Sequence, residues 1–183
     1  MVKLKKPRQA MLLGCAFLVS PFQAVLAEPL PPEVRRIVTV PFGEDGSRVL
    51  ADGTSDNSRV LNGSRITRLW ETGELPVSLH VMEDAGALAG NAYREGFVGT
   101  SLYVADIPPG SDLSDVPMHA QDSLDYIAIL EGEIDLILPD ETLTMKAGDV
   151  LVQAGNVHSW INRTDRYCRM LVVVLTGVRP PDP

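Results

Sequence analysis

From Asp125 onward the chain is cut at short, regular intervals. Apolar runs fall at 125–130, 134–138, 143–145, 150–152, 158–162 and 169–176. Between them stand Glu131-Gly132-Glu133, Pro139-Asp140, Ala147-Gly148-Asp149, Gln153-Ala154-Gly155 and Arg163-Thr164-Asp165, all turn chemistry. Strands this short, separated this evenly, predict an all-β sandwich or antiparallel barrel. Composition agrees: 15 Gly and 14 Pro against 5% aromatics suit many short strands with tight turns better than a bundle of long helices. A length of 183 residues suits one domain.

The first half is less regular. Short strands are predicted at 37–40 and 47–50, a loop at 51–58, further strands at 66–70 and 76–82, a loop at 84–91 and a clearer strand at 101–107 that ends at Pro108-Pro109-Gly110. Ahead of all this, Lys3, Lys5, Lys6 and Arg8 precede an apolar stretch from Met11 to Val19, and Val25-Leu26-Ala27 precedes Glu28-Pro29. That is a secretory signal layout, and cleavage after Ala27 is expected. The organisation expected is a signal peptide at 1–27, an N-terminal arm and strands at 28–100, a barrel at 101–178 and a tail at 179–183. Export is expected, to a bacterial periplasm, with no membrane attachment once the signal is removed.

Cleavage would take away four basic and no acidic residues, leaving 12 Lys and Arg against 24 Asp and Glu. So acidic a chain is a poor partner for nucleic acid or an anionic membrane surface. Of two cysteines only Cys168 remains, inside an apolar run that reads as a core strand, so no intramolecular disulfide is available. It is expected to be an inert, buried thiol.

Two of the three histidines, His119 and His158, fall at strand starts in the regular region. Alternate residues of a strand share a face, so His119 projects with Gln121, Asp125 begins the next strand nearby, and His158, Trp160 and Asn162 form a second row. In a small barrel such rows point inward. His80 lies outside this pattern.

These residues resemble a known family. His119-Ala120-Gln121-Asp122-Ser123-Leu124-Asp125 followed by Gly132 matches the spacing of the first cupin motif, H-x-H-x3-E-x6-G, and the segment from Gly148 to Asn162 follows the second, ending in G-x2-H-x3-N, with Gln153 where proline is usual. The chain also looks like a subgroup of single-domain bacterial and fungal cupins with a His-x5-Asp-Tyr block, here His119 to Tyr126. The resemblance implies a cupin-type antiparallel β-barrel (a double-stranded β-helix or jelly roll) with an N-terminal strand extension, and a homodimer. It also implies one divalent metal ion, Fe, Mn, Ni or Zn, on His119, Gln121, Asp125 and His158. Two of these four depart from the family pattern, since Gln121 replaces a histidine and Asp125 a glutamate. What is left is a two-His, one-carboxylate set with positions open for substrate.

Plainer roles stand beside these. Asp125 is either a ligand and catalytic acid–base group or a cap on backbone N–H groups. Gln121 either touches the metal or hydrogen-bonds a substrate. Tyr126, Trp160 and Asn162 are candidate pocket residues, the aromatics being equally suited to plain core and Asn162 to satisfying backbone at a turn. Two functions follow: a metal-dependent enzyme on a small oxygenated or aromatic metabolite (dioxygenase, decarboxylase, isomerase or cyclase), or a non-catalytic small-ligand-binding cupin of the cell envelope.

Overall fold

The computed structural model describes residues 28–79, 83–88, 90 and 96–179. The expected signal peptide at 1–27, His80 and the end of the tail lie outside the described residues. Eleven strands and one short helix are seen among the described residues: β1 Arg35–Phe42, β2 Gly46–Thr54, β3 Ser58–Leu61, β4 Ser64–Thr72, α1 Ala85–Leu88, β5 Thr100–Ile107, β6 Ser123–Glu131, β7 Glu133–Ile137, β8 Thr142–Lys146, β9 Val150–Ala154, β10 Ser159–Ile161 and β11 Cys168–Thr176. All the ladders are antiparallel.

A six-stranded sheet in the order β3-β4-β5-β11-β6-β9 faces a three-stranded sheet in the order β10-β7-β8, and β1-β2 form a separate hairpin. The inner faces follow from period-two burial. On β11, Cys168, Met170, Val172 and Val174 point in; on β6, Ile127 and Ile129; on β7, Ile134 and Leu136. With Ala105, Ile107, Met145 and Trp160 they make one core cluster shared by both sheets, the expected jelly-roll arrangement. β11 is the centre of the larger sheet, paired along its length to β5 on one side and β6 on the other. Its Val-rich sequence suits a strand flanked on both sides.

Turns fix the register. Gly132, between β6 and β7, has φ +80°, and a Cβ there would stand 2.6 Å from the carbonyl oxygen of Tyr167. Only glycine fits that corner. The glycine that closes the first motif, seven residues after Asp125, is thereby a turn requirement.

The larger sheet is covered on its outer face as well. Arg65, Asp106 and Arg169 stand opposite one another on β4, β5 and β11. Asp106 is fully buried; its Oδ2 accepts from Arg65 Nε (2.9 Å) and Nη2 (2.6 Å), and its Oδ1 from Arg169 Nε (2.6 Å). The spare N–H groups of the two arginines donate to the carbonyls of Pro31 (2.6 Å) and Pro32 (2.6 Å), which binds the N-terminal arm to the barrel. Cys168 lies inside the same sheet, and burial, helped by the Asp106 charge, pushes its thiol up to about 12. It is unpaired and buried, as expected for an inert thiol.

The first half departs from expectation in four places. β2 runs on to Thr54, β3 occupies part of the predicted loop, and the described part of the predicted 76–82 strand, Pro76 to Leu79, is irregular and exposed. The predicted 84–91 loop contains α1, next to which Asp84 takes a bidentate contact from Arg36.

Removing one member of a buried charge cluster strands the others. Asp106→Ala is expected to lower the unfolding free energy by about 3–5 kcal/mol. Arg163→Ala, which breaks an exposed pair with Asp135 (2.8 Å, Arg163 64% exposed), should cost under about 1 kcal/mol. Urea unfolding of both variants measures the contrast.

Candidate functional site

His119 and His158 are joined by an isolated antiparallel bridge in which each backbone N–H donates to the other's carbonyl at 2.9 Å. The bridge sets the rings side by side, with centroids 4.3 Å apart. Each Nδ1 lies 2.9 Å from a backbone carbonyl two residues earlier, Pro117 for His119 and Asn156 for His158. A carbonyl oxygen only accepts, so each Nδ1 carries a proton, and a ring in its neutral form keeps its lone pair on Nε2. Burial lowers the His158 pKa, opposed by the Asn156 carbonyl and reinforced by the nearby His119, so the ring is held neutral.

Both rings line a cavity of about 270 Å3 inside the barrel. Gln121, Asp125, Gln153 and Trp160 share it, with Tyr103, Ile127, Met170 and Val172 among the apolar wall. Trp160 meets His158 edge-on, centroid to centroid 6.2 Å at 76°. Asp125 is 5% exposed and its Oδ1 has no hydrogen-bond partner among the described residues. Burial raises its pKa above the usual carboxylate range; a hydrogen bond from Ser123 and the His119 charge oppose the rise. Gly155, at φ +66°, lets β9 pass close to the Gln121 backbone, where a Cβ would come within 2.8 Å of its carbonyl oxygen. A larger groove, about 720 Å3, lies between the β1-β2 hairpin and the end of β4; among the described residues its acidic groups are Glu71, Glu74 and Glu83.

Sequence reasoning thus brings His119, Gln121, Asp125, His158 and Trp160 to one cavity. Two expected pocket residues are elsewhere. Tyr126 is 42% exposed on the outer face of β6, because Asp125 and Ile127 take the inward positions and a strand cannot turn three consecutive side chains the same way. Asn162 is fully buried but lies beyond the end of β10, where alternation stops. Its Nδ2 donates to the carbonyls of Ile107 (3.1 Å) and Arg166 (2.7 Å), and its Oδ1 accepts from Thr164 N (3.0 Å) and Oγ1 (2.7 Å). It staples the 162–166 turn.

One residue was missed. Gln153, assigned to a turn, is the inward residue of β9, directly opposite Asp125 in register and 3% exposed. Its alternation with Leu151 was the available signal.

The implied metal fits this donor set only in part. The two imidazoles present free Nε2 atoms, but no three His, Cys, Asp or Glu side chains among the described residues are grouped so as to hold an ion. Asp125, the carboxylate expected from the motif, lines the same cavity as both histidines.

Comparison with known proteins agrees with this architecture. The cupin-domain family model matches residues 103–174. The chain is 31% identical over 152 residues to a cupin-domain-containing oxidoreductase, fogC, of Aspergillus ruber, covering 78% of this chain and 72% of that one. It is 39% identical over 83 residues to phomopsin biosynthesis cluster protein C' of Diaporthe leptostromiformis, covering 45% of this chain and 42% of the relative, so the match spans less than half of that protein. Among solved structures, the cupin domain of Schizosaccharomyces pombe Cnp3 aligns with a TM-score of 0.49 at 18% identity, covering 78% of this chain and 84% of that one. The chain belongs to the cupin superfamily of conserved β-barrel proteins.

The raised Asp125 pKa has a measurable consequence. A carboxyl whose folded pKa exceeds its unfolded value, near 3.9, takes up a proton on folding, so the protein loses stability as pH rises through the folded value. Asp125→Asn removes that titration. Its stability is expected to gain on the unsubstituted protein from about pH 4 towards neutrality in parallel denaturant titrations. A difference that stays flat across this range would contradict a desolvated Asp125.

Proposed function

We propose that this cupin is an enzyme that moves a proton on a small, neutral metabolite carrying a carbonyl or hydroxyl oxygen. The carrying observation is the pairing, in one largely apolar cavity, of a buried carboxyl with an unpartnered oxygen and a neutral imidazole whose only free nitrogen is a base. Asp125, held protonated to higher pH by burial, donates to the substrate's carbonyl oxygen. His158 Nε2 takes the proton from the adjoining carbon, giving an enol, and the reverse transfer at another carbon or oxygen completes an isomerisation or primes a cyclisation. The apolar wall excludes water and strengthens both transfers. A relative named an oxidoreductase supports an enzymatic reading, since proton removal beside an oxygen also precedes oxidation.

The test is exchange of the methyl protons of acetophenone in D2O, followed by NMR with the full chain. Exchange above background, falling about a hundredfold or more in Asp125→Asn and in His158→Ala, is the expected result. No exchange, with acetophenone still bound, would replace the enzyme by a ligand-binding cupin.

A second reading is favoured by the fixed tautomers of the two histidines. A divalent ion, Fe, Mn, Ni or Zn, would sit on His119 Nε2 and His158 Nε2, with Gln121 or Asp125 as further donors, and would supply a Lewis acid. Elemental analysis of protein purified without chelators, beside His119→Ala/His158→Ala, decides it. About one ion per chain, lost in the double variant, supports the metal; none in either, even after reconstitution, removes it.

A further inference from the structure

The proposed chemistry leaves Gln153 unused, and among the described residues nothing hydrogen-bonds its side-chain amide. The side chain is 3% exposed, yet neither Oε1 nor Nε2 has a hydrogen-bond partner among the described residues. An amide buried without partners destabilises a protein, whereas an apolar side chain of the same shape would not. The second cupin motif has proline at this position, so the barrel itself does not require an amide here. Gln153 lines the cavity, and across the β6-β9 ladder it stands opposite Asp125, whose Oδ1 is also unpartnered. Three polar atoms at one place in an apolar wall thus lack partners of their own: one donor group and two oxygens.

Charge narrows what they receive. Asp115 and Asp125 line the cavity, and among the described residues no Lys or Arg does. A carboxylate or phosphate entering this cavity would be stripped of water beside two carboxyl groups with no cation to meet it. The ligand edge facing Gln153 is therefore neutral. A primary amide is matched by a group that offers an acceptor and a donor one atom apart, the pattern of another amide.

We propose that Gln153 is a specificity-determining residue that pairs with a neutral carboxamide or lactam edge of the substrate, its Nε2–H donating to the ligand carbonyl and its Oε1 accepting the ligand N–H. Asp125 Oδ1 provides a further contact on the same side. This rests on the reading of the cavity as the substrate site and adds to it the chemical class that enters. Recognition acts through two hydrogen bonds that a ketone of the same size satisfies only by half and a carboxylate satisfies only against charge.

Three probes of one shape separate these cases: benzamide, acetophenone and benzoate, titrated into the full chain by calorimetry. The unsubstituted protein is expected to bind benzamide about tenfold or more tightly than either of the others. Gln153→Leu should bring benzamide and acetophenone to within about twofold while leaving the melting temperature of the free protein unchanged or higher. Gln153→Glu, which keeps the shape but loses the donor, should also lose the benzamide preference. The proposal is overturned if the preference survives in Gln153→Leu and Gln153→Glu, or if both variants melt well below the unsubstituted protein, which would make Gln153 a structural residue. Catalysed exchange of acetophenone together with a surviving amide preference would overturn this inference alone. Failure of every probe to bind would overturn the cavity reading with it.

Discussion

A fully buried aspartate holds together the parts of this barrel that do not pair with one another. Asp106 sits on β5, accepts from arginines on both neighbouring strands, and through their remaining N–H groups holds the carbonyls of Pro31 and Pro32. A charge in such a place is tolerable only because its lone pairs are filled by guanidinium forks. The same forks satisfy proline carbonyls that have no strand to pair with. The outer face of β4-β5-β11 is thereby closed by polar contacts, which leaves the inner face free to be apolar and to carry the cavity.

The site is formed where the two sheets meet at one end of that inner face. β6 and β9 supply Asp125 and Gln153 as opposed residues of one ladder, and β10 with the preceding 117–119 segment supplies the histidines and Trp160. Asp125 and Gln153 are inward residues of β6 and β9, while the two histidines stand on a bridge outside the named strands. A polar side chain in place of a hydrophobe at such an inward position costs stability, and a ligand that binds only the folded protein would offset it.

The second half of the chain was legible because it is half-buried. Strands β5 to β11 were found within a few residues of their ends since one face of each enters the core and imposes alternation on the sequence. β3, exposed at all four residues, leaves no such periodicity and was not found, and the second half of β2, Ala51 to Thr54, was read as loop because its Asp52-Gly53 resembles a turn. The same rule explains the site. His119, Gln121, Asp125, His158 and Trp160 obey inward alternation and were found; Tyr126 violates it beside Asp125, and Asn162 lies where the strand has ended. Gln153 obeys it and was overlooked because its neighbours Ala154 and Gly155 resemble a turn. What the sequence could not supply is relative position across strands: that Asp125 stands opposite Gln153 in the β6-β9 ladder, in the cavity both histidines line, follows only from the pairing.

The backbone bridge between His119 and His158 gives the two imidazoles a spacing that owes nothing to the side chains around them. Ring orientation, likewise, is set by carbonyls of their own segments. The histidine pair and the wall around it are accordingly separable parts. Variation at Ile127, Met170 or Val172 can reshape the room available to a ligand while the pair stays in place, which lets one barrel of this kind be retuned from one small molecule to another without rebuilding its chemistry.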